Sequence, residues 1–198
     1  MWSADFSNMF ATRNKENIPP SVELLLDSIK GKPIGELCFN DNALGIEAAK
    51  SFVDFLKNSS NSLYKLGLEN CGMSPEAIRI LIDGIKENEN KIELREILLS
   101  RNRIQDDGAV ALAEYLAGYD SLELLEISSN IIKDEGMTAL LNSLIPHAES
   151  GKLVHLVISD NFITSDESTA ALCELVRRAT NLQKLSIDGL ELVDGRHE

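Results

Sequence analysis

Positive charge is scarce in this sequence. Its 198 residues include 19 Lys and Arg against 32 Asp and Glu, which gives a formal net charge of -13. Because phosphate binding requires clustered basic side chains, this balance argues against nucleic acid as a partner. Two interpretations of the acidic charge stand side by side: it attracts a partner with a basic surface, or it keeps an extended surface soluble.

Cysteine is also scarce, and long apolar segments are missing. The three cysteines, Cys38, Cys71 and Cys173, show no CxxC spacing, so we expect buried thiols in a reducing compartment. No apolar run approaches the roughly 18 residues that a membrane span needs. Residues 1–10 lack a charged-then-apolar leader, which argues against a secretory signal. We therefore expect a protein of the cytosol or nucleus without a membrane partner.

Motifs of catalytic and metal sites are missing as well. The sequence has no phosphate-binding loop, HExxH, GxSxG or EF-hand pattern, and its histidines, His147, His155 and His197, are isolated. His155 is expected to face outward from a strand, where an ordinary surface histidine is favoured over a binding residue. The pair Asp106-Asp107 falls at an expected helix start, where it offsets the positive end of the helix dipole. The sequence therefore predicts no active site of its own, no cofactor and no metal.

A single motif recurs through the chain at a narrow period. The pattern LxxLxLxxNxL occurs six times with small substitutions, and successive copies start 29, 31, 28, 31 and 29 residues apart. Repetition at this period is typical of leucine-rich-repeat solenoids, in which each repeat contacts only its neighbours. The copies begin at Ile34, Leu63, Leu94, Leu122, Leu153 and Leu182.

Each slot of the motif has a physical role. The LxL segment alternates at period two, which predicts a short strand with its leucines turned into the core. A buried asparagine at a later slot, as at Asn42 and Asn102, can satisfy backbone groups in the loop after the strand. Cys71 fills this slot in the second copy with a weaker donor, and Leu190 fills it in the last copy with none. The pattern therefore weakens toward the C-terminus.

Amphipathic helices are expected between the strands. Ala109, Leu112, Ala113 and Leu116 share one helix face, and Ser74-Pro75 fits an N-cap followed by the first helical residue. The predicted class is α/β: a leucine-rich-repeat solenoid, a horseshoe segment of the ribonuclease-inhibitor-like kind, with a parallel inner sheet, outer helices and six to seven repeats. We expect one domain over 1–198, with a divergent first repeat carrying an insertion (1–33), five regular repeats (34–181) and a terminal partial repeat (182–198).

The segment before the first regular copy departs from the pattern. The strand template fits weakly at Met1, Ala4, Phe6 and Met9. A polar insertion, 11–17, follows, and a helix is expected through Leu24, Leu25 and Ile29. Because terminal repeats expose an apolar edge and an unpaired strand, we expect self-association or fraying at one end, and more so at the N-terminal one.

Residues 6–13 and 16–20 read FSNMFATR and ENIPP. They resemble an insertion close to FSDIFTGR followed by EIP in the Ran GTPase-activating proteins, the RanGAP family. Residues 100–109 read SRNRIQDDGA against the family's GRNRLENDGA, and residues 68–73 read LENCGM against LNNCGM. The segments DNALG at 41–45 and SDNFIT at 159–164 resemble SDNAFG and NDNTFT. The matches extend from about residue 3 to about residue 192.

The resemblance implies a GTPase activator that binds Ran-GTP and stimulates its hydrolysis in nucleocytoplasmic transport, with GTP and magnesium carried by the GTPase. Most small-GTPase activators insert an arginine finger, whereas this family is thought to position the GTPase's own glutamine. The asparagine implicated in that positioning falls on Asn70, and the family's interface arginine falls on Arg13. The residues alone favour other interpretations: Asn70 as a loop residue bonding its own backbone, and Arg13 as a solvated insertion residue.

The expected partner-binding surface is the rim between strands and helices, together with the concave face. Arg103 also has a structural interpretation, in which it ties one repeat to the next. The alternative function is a non-activating leucine-rich-repeat scaffold for protein interaction. Beside Asn70, the surface is expected to comprise Arg13, Asn40, Asp41, Glu69, Arg101 and Arg103.

Overall fold

The computed structural model describes residues 1–10 and 12–192. Seven strands form one parallel sheet in chain order, and a helix lies between each strand of this sheet and the next. The predicted α/β leucine-rich-repeat solenoid is confirmed. The strands are β1 (Trp2–Asp5), β2 (Ile34–Cys38), β3 (Lys65–Gly67), β4 (Glu96–Leu98), β5 (Leu124–Glu126), β6 (His155–Val157), β7 (Phe162–Ile163), β8 (Lys184–Ser186) and β9 (Glu191–Leu192), of which all but β7 and β9 belong to this sheet.

The strands pair so that equivalent motif slots lie side by side. Leu66 pairs with Leu37 on one side and with Ile97 on the other, and all three are buried. The residues flanking these leucines point the opposite way, because side chains alternate across a strand. They form the concave face, and one row across it consists of Glu36, Lys65, Glu96, Leu124, His155 and Lys184.

Six helices lie side by side against the sheet and enclose the core with it. The predicted buried face of one of them is confirmed at Ala109, Leu112, Ala113 and Leu116. Among the described residues, no helix combines the length and apolar character needed to cross a bilayer. The helices are α1 (Ile18–Ile29), α2 (Gly45–Asn58), α3 (Pro75–Lys86), α4 (Gln105–Leu116), α5 (Asp134–Glu149) and α6 (Asp166–Arg178).

Buried asparagines join each repeat to the one before it. Oδ1 of Asn102 accepts the N–H groups of Cys71 and Met73 at 3.0 and 2.9 Å. Its Nδ2 donates to the carbonyls of Leu68 and Leu99, both at 2.8 Å. The amide thus satisfies backbone groups where the strand ladder has ended, as the sequence predicted. Asn42, Asn130 and Asn161 make equivalent bonds.

Cys71 fills the asparagine slot with fewer bonds. Its Sγ donates to the carbonyl of Phe39 at 3.1 Å. Burial raises the pKa of the thiol to about 12, so the group stays protonated and keeps its donor. The thiol of Cys71 therefore acts as the weak hydrogen-bond donor that the sequence predicted at this slot.

The insertion is anchored in the fold by a buried residue at each end. Phe10 is buried, and its N–H donates to Oδ1 of Asn42 at 2.9 Å. Ile18, at the start of α1, is buried as well, whereas residues 12–17 between these two anchors are exposed. The helix expected through Leu24, Leu25 and Ile29 is confirmed as α1. Ala11 lies outside the described residues.

The expectation of buried thiols is wrong for Cys173, which is exposed, and holds for Cys71. Two further features were not predicted from the sequence. His147, which belongs to no motif, is fully buried: its Nδ1 accepts the N–H of Leu122 at 3.3 Å, and burial lowers its pKa. A second, parallel pair of strands, β7 with β9, forms beside the main sheet. It joins residues about one repeat apart, so local periodicity does not reveal it. Residues 193–198 of the predicted terminal repeat lie outside the described part of the chain.

Candidate functional site

A residue in the left-handed conformation lies three positions after the end of each strand of the seven-stranded sheet. At Asp41, Asn70 and Arg101 this residue has φ of 57°, 51° and 60°. Its N–H continues the sheet ladder past the end of the strand: Asn70 N–H donates to the Ser100 carbonyl at 2.9 Å, for example. The loop backbone is therefore held on both sides by neighbouring repeats. The seven positions are Asn8, Asp41, Asn70, Arg101, Ser129, Asp160 and Gly189.

The residue types at these turns differ in how well they suit the conformation. Glycine, asparagine and aspartate enter the left-handed region readily, whereas other side chains pay about 1–2 kcal/mol. Arg101 pays this cost, as do Gln105, Ser129 and Ile131 in the same set of turns. The side chain of Arg101 is exposed rather than packed in the core, so it is available for contact at the surface.

Asp41, Asn70 and Arg101 meet on the rim. Oδ1 of Asp41 accepts a hydrogen bond from Nδ2 of Asn70 at 3.0 Å and lies 3.4 Å from Nη2 of Arg101. The Arg101–Asp41 pair is weak as an ion pair, because both side chains are about half exposed to solvent, at 56% and 47%. The shared carboxylate instead fixes the direction of the Asn70 amide, with its NH2 group turned toward Asp41.

This orientation determines what Asn70 can offer a partner. An asparagine side chain has two N–H donors and one acceptor oxygen. One N–H is bound to Asp41, so the second N–H and the carbonyl oxygen are left for other contacts. Asn70 is exposed and its backbone is fixed by the ladder. The residue can therefore donate and accept at one place without a change in the loop.

Asn40 and Glu69 lie at the end of the concave face beside this cluster. Oδ1 of Asn40 accepts the N–H of Glu69 at 2.9 Å, so Asn40 supports the neighbouring strand end. Burial raises the pKa of Glu69, and the carboxylates of Glu126 and Asp41 act in the same direction, while Arg101 opposes them. Both residues are half-buried, and their predicted contact with a partner stays a prediction.

A groove of about 530 Å³ opens between the insertion and the turns that precede α2, α3 and α4. Asn70, Arg101 and Arg103 line it from the rim, and Lys15 lines it from the insertion. The N–H of Arg103 donates to the Met73 carbonyl at 3.0 Å, so the link between repeats is made by its backbone. Its side chain is exposed at the groove, which leaves it available for contact.

Arg13 lies on the insertion but does not line the groove. Its N–H donates to the carbonyl of Phe10 at 3.1 Å in the turn before the helical Lys15–Asn17 segment, and its side chain is exposed. The fold thus places Asp41, Asn70, Arg101 and Arg103 around one rim cluster and leaves Arg13 on the adjacent insertion. The roles given to all seven predicted residues stay predictions.

Sequence reasoning missed Lys15, which belongs to the groove. The only signal was its place in a polar insertion three residues before the buried Ile18, and polarity alone does not show which way a side chain faces. Within residues 1–10 and 12–192, no group of three or more potential ligands is arranged to hold a metal ion.

A family model described as "Leucine Rich repeat" matches residues 94–113 and 121–141. Among solved structures, the C-terminal domain of tropomodulin from Caenorhabditis elegans has a TM-score of 0.58 at 18% identity. The match covers 80% of this chain and 91% of that domain. At this identity the similarity concerns the fold alone. The chain has the leucine-rich-repeat fold.

Sequence comparison with curated proteins finds relatives among the Ran GTPase-activating proteins. The Ran GTPase-activating protein 1 of Xenopus laevis is 31% identical over 63% of this chain and 23% of its own length. The Ran GTPase-activating protein of Drosophila melanogaster is 33% identical over 70% of this chain and 25% of its own length. The resemblance to Ran GTPase-activating proteins is confirmed. This chain spans about a quarter of the length of these two relatives.

Proposed function

We propose that this protein binds the GTP-bound form of a Ran-type small GTPase through its strand-to-helix rim and stimulates GTP hydrolysis. In this proposal the GTPase carries the nucleotide and magnesium, and the leucine-rich-repeat chain supplies no active site of its own. The setting is nucleocytoplasmic transport, with the protein in the cytoplasm. The resemblance to two Ran GTPase-activating proteins supports the class of partner.

The geometry of Asn70 is the observation that carries the proposal. Its amide is exposed on a turn whose backbone is fixed by the sheet ladder, and its orientation is set by Asp41 at 3.0 Å. A group held in this way can orient a partner's side chain at little cost in conformational entropy. Stimulation then acts by positioning the catalytic glutamine of the GTPase, and its effect falls on the hydrolytic step.

Arg13 has a different role in the proposal. Its guanidinium is exposed on the insertion, outside the groove, and the planar group suits bidentate contact with a carboxylate. Such a contact holds the partner without touching the reacting phosphate. Arg13 therefore contributes to affinity rather than to the rate within the complex.

GTP turnover by a purified Ran-type GTPase, with and without this protein, tests the function. We expect stimulation at substoichiometric amounts, since an activator is released after each hydrolysis. The matched control is Glu114→Lys on α4, an exposed outer-helix residue, which should change affinity by no more than about 0.5 kcal/mol. Binding without stimulation would instead establish the alternative, a non-activating interaction scaffold.

A further inference from the structure

The charge of the rim groove is opposite in sign to the net charge of the whole chain. The chain has a formal net charge of -13. The charged side chains that line the groove are nevertheless three cations, Lys15, Arg101 and Arg103, and one carboxylate, Glu47. The cations come from the insertion and from the loop between β4 and α4, so the fold collects them from segments far apart in sequence.

The cations are also accessible. Lys15, Arg101 and Arg103 are all exposed, and the guanidinium of Arg101 lies 3.4 Å from the half-exposed carboxylate of Asp41. An anion entering the groove therefore meets guanidinium groups that no buried carboxylate has neutralised. Exposed ion pairs of this kind are worth little, so Arg101 can exchange or share its partner at small cost.

Apart from the amides of Asn70 and Asn102, much of the remaining lining is apolar. Pro19, Ala43 and Ile46 form part of the walls, between the insertion and the start of α2. Such walls suit the methylene groups of a peptide side chain, which can lie against them while a carboxylate reaches the cations at the edges. The groove therefore combines apolar contact with charge at its edges, as peptide-binding sites do.

A phosphate ion fits this lining less well. Phosphates commonly bind unsatisfied N–H groups at a helix N-terminus, and the groove does border the start of α2. The N–H of Gly45, however, donates to the carbonyl of Cys71 at 3.0 Å. The carboxylate of Glu47 lies in the first turn of the same helix and repels an anion from it. The positive groups of the groove lie instead on Arg101, Arg103 and Lys15.

We propose that the rim groove binds a carboxylate-rich segment of the partner protein, with Arg101, Arg103 and Lys15 as its binding residues. This inference deepens the proposed function, because it assigns a chemistry to the partner element that lies beside Asn70. One of the two interpretations of the acidic net charge is a partner with a basic surface. The groove adds that the same partner carries an acidic element where it meets the rim.

The test uses an acetylated oligoglutamate peptide as the probe and the isotope-labelled full chain at low ionic strength. In heteronuclear NMR spectra we expect saturable shifts of the Arg101 and Arg103 Nε–H signals and of the Gly72 amide, which also lines the groove. Arg103→Glu and Lys15→Glu should each raise the dissociation constant at least about fivefold, because each turns an attraction into a repulsion.

The matched control is Lys86→Glu on α3, which makes the same change in net charge at an exposed outer-helix position. It should leave the dissociation constant within about twofold, the effect of an exposed charge at long range. An equal loss in the control, or shifts spread over the whole surface, would show nonspecific attraction and overturn the proposal. The proposal would also be overturned if inorganic phosphate shifted the same signals at a lower concentration than the peptide does.

The peptide assay needs no GTPase, so the two proposals can fail separately. If the peptide binds and GTP hydrolysis is not stimulated, only the proposed function is wrong. If hydrolysis is stimulated and the peptide does not bind the groove, only the assignment of an acidic segment is wrong.

Discussion

The carboxylate of Asp41 contacts two side chains along the rim, Nδ2 of Asn70 at 3.0 Å and Nη2 of Arg101 at 3.4 Å. The sequence predicted Asp41 as a direct partner contact. The contacts give it a further role, since the direction of the Asn70 amide depends on it. Its left-handed φ of 57° is an ordinary conformation for aspartate, so the residue can serve this role without much strain.

Replacement of Asp41 tests this role. Asp41→Ala frees the Asn70 amide, and in the proposed mechanism the stimulated hydrolysis rate at saturating protein falls about three- to tenfold, because a misplaced positioning group loses part of its effect. Asp41→Asn keeps an acceptor oxygen and should retain most of the rate. Single-turnover hydrolysis measures both variants.

The matched control is Asp160→Ala, which removes the same charge at an equivalent left-handed turn of another repeat. Oδ2 of Asp160 accepts from the hydroxyl of Ser129 at 3.2 Å, so a similar local contact is lost. Equal rate losses for the two alanine variants would show that the effect is general to the rim and that Asp41 does not orient Asn70.

Consecutive repeats are also joined through their helix starts. Oδ1 of Asp106, in the first turn of α4, accepts the N–H groups of Lys133 and Gly136 at 2.7 and 3.2 Å, at the start of α5. Asp134 in α5 caps α6 in the same way, through the N–H of Thr164 at 2.7 Å and that of Ser165 at 2.9 Å. A carboxylate placed at the start of one helix therefore satisfies the free N–H groups of the next.

The pair Asp106 and Asp107 offers a direct comparison. Asp106→Ala should lower the free energy of unfolding by about 1–2 kcal/mol, the usual effect of losing a helix cap. Asp107→Ala should cost less than about 0.5 kcal/mol, because Asp107 is an exposed surface residue. Urea unfolding followed by circular dichroism measures both. Equal losses would mean that the dipole of α4, which both residues face, matters more than the cap on α5.

The contact between Asp134 and the start of α6 makes the stability of the fold depend on pH. Burial opposes ionisation of its carboxylate, but hydrogen bonds from the hydroxyls of Ser168 and Thr164 and from backbone N–H groups outweigh it and hold the pKa well below the ordinary value. A lowered folded-state pKa adds stability above the unfolded-state pKa of about 4, and this stability is lost as pH falls below it.

We therefore expect Asp134→Ala to be less stable than the wild type by about 1–2 kcal/mol at neutral pH, with the gap narrowing below about pH 4. Urea midpoints of the two proteins across this range provide the measurement. A gap that stays constant with pH would show that the ionised carboxylate is not what stabilises the start of α6.

The strands and loops of the repeats could be predicted from the sequence where they depend on residues close in the chain or one repeat away. Alternation predicts the strand around Leu66, and the slot of Asn102 predicts its bonds to loop backbone, because both depend on residues close in the chain or one repeat away. The partner of Asp106 was not predictable in this way. In sequence Asp106 belongs to the start of α4, but in the fold its carboxylate reaches the start of α5. Which helix it caps depends on how neighbouring repeats are offset, and the sequence does not show this offset.

The site was less predictable than the fold. The resemblance to RanGAP brought Asn70 and Arg13 forward, but it did not show that Asp41 fixes the amide. The place of Lys15 in the groove could not be predicted from the sequence. It follows from the burial of Phe10 and Ile18, which fixes both ends of the insertion and so the position of the exposed turn between them. Contacts between an insertion and a distant loop have no period in the sequence.

The sheet as a whole has two strands with a partner on one side only among the described residues, β1 and β8. Leu182, Leu185 and Ile187 of the last repeat are only partly buried, whereas the equivalent Leu153, Leu156 and Ile158 are fully buried. At the other edge Trp2 is 55% exposed and Met9 is 46% exposed. Unpaired strands next to exposed apolar side chains favour association between chains.

We predict that the 198-residue chain self-associates or frays at one of these edges, and more so at β1. Light scattering measures the mass, and amide hydrogen exchange measures the protection of β1 and β8. The internal strand β4 is the control and should be strongly protected. A strict monomer with both edge strands as well protected as β4 would contradict this prediction.

In the proposed function, the whole molecule accelerates GTP hydrolysis in a partner by positioning, through Asn70, and holds that partner through Arg13. Single-turnover hydrolysis by a Ran-type GTPase, measured over a range of protein concentrations, tests it most directly. Asn70→Ala should lower the saturated rate at least tenfold, about 1.4 kcal/mol, with modest loss of affinity. Arg13→Ala should raise the concentration needed for half-maximal stimulation, and saturating protein should restore much of the rate. Loss of the saturated rate with Arg13→Ala but not with Asn70→Ala would contradict the account and indicate an arginine finger.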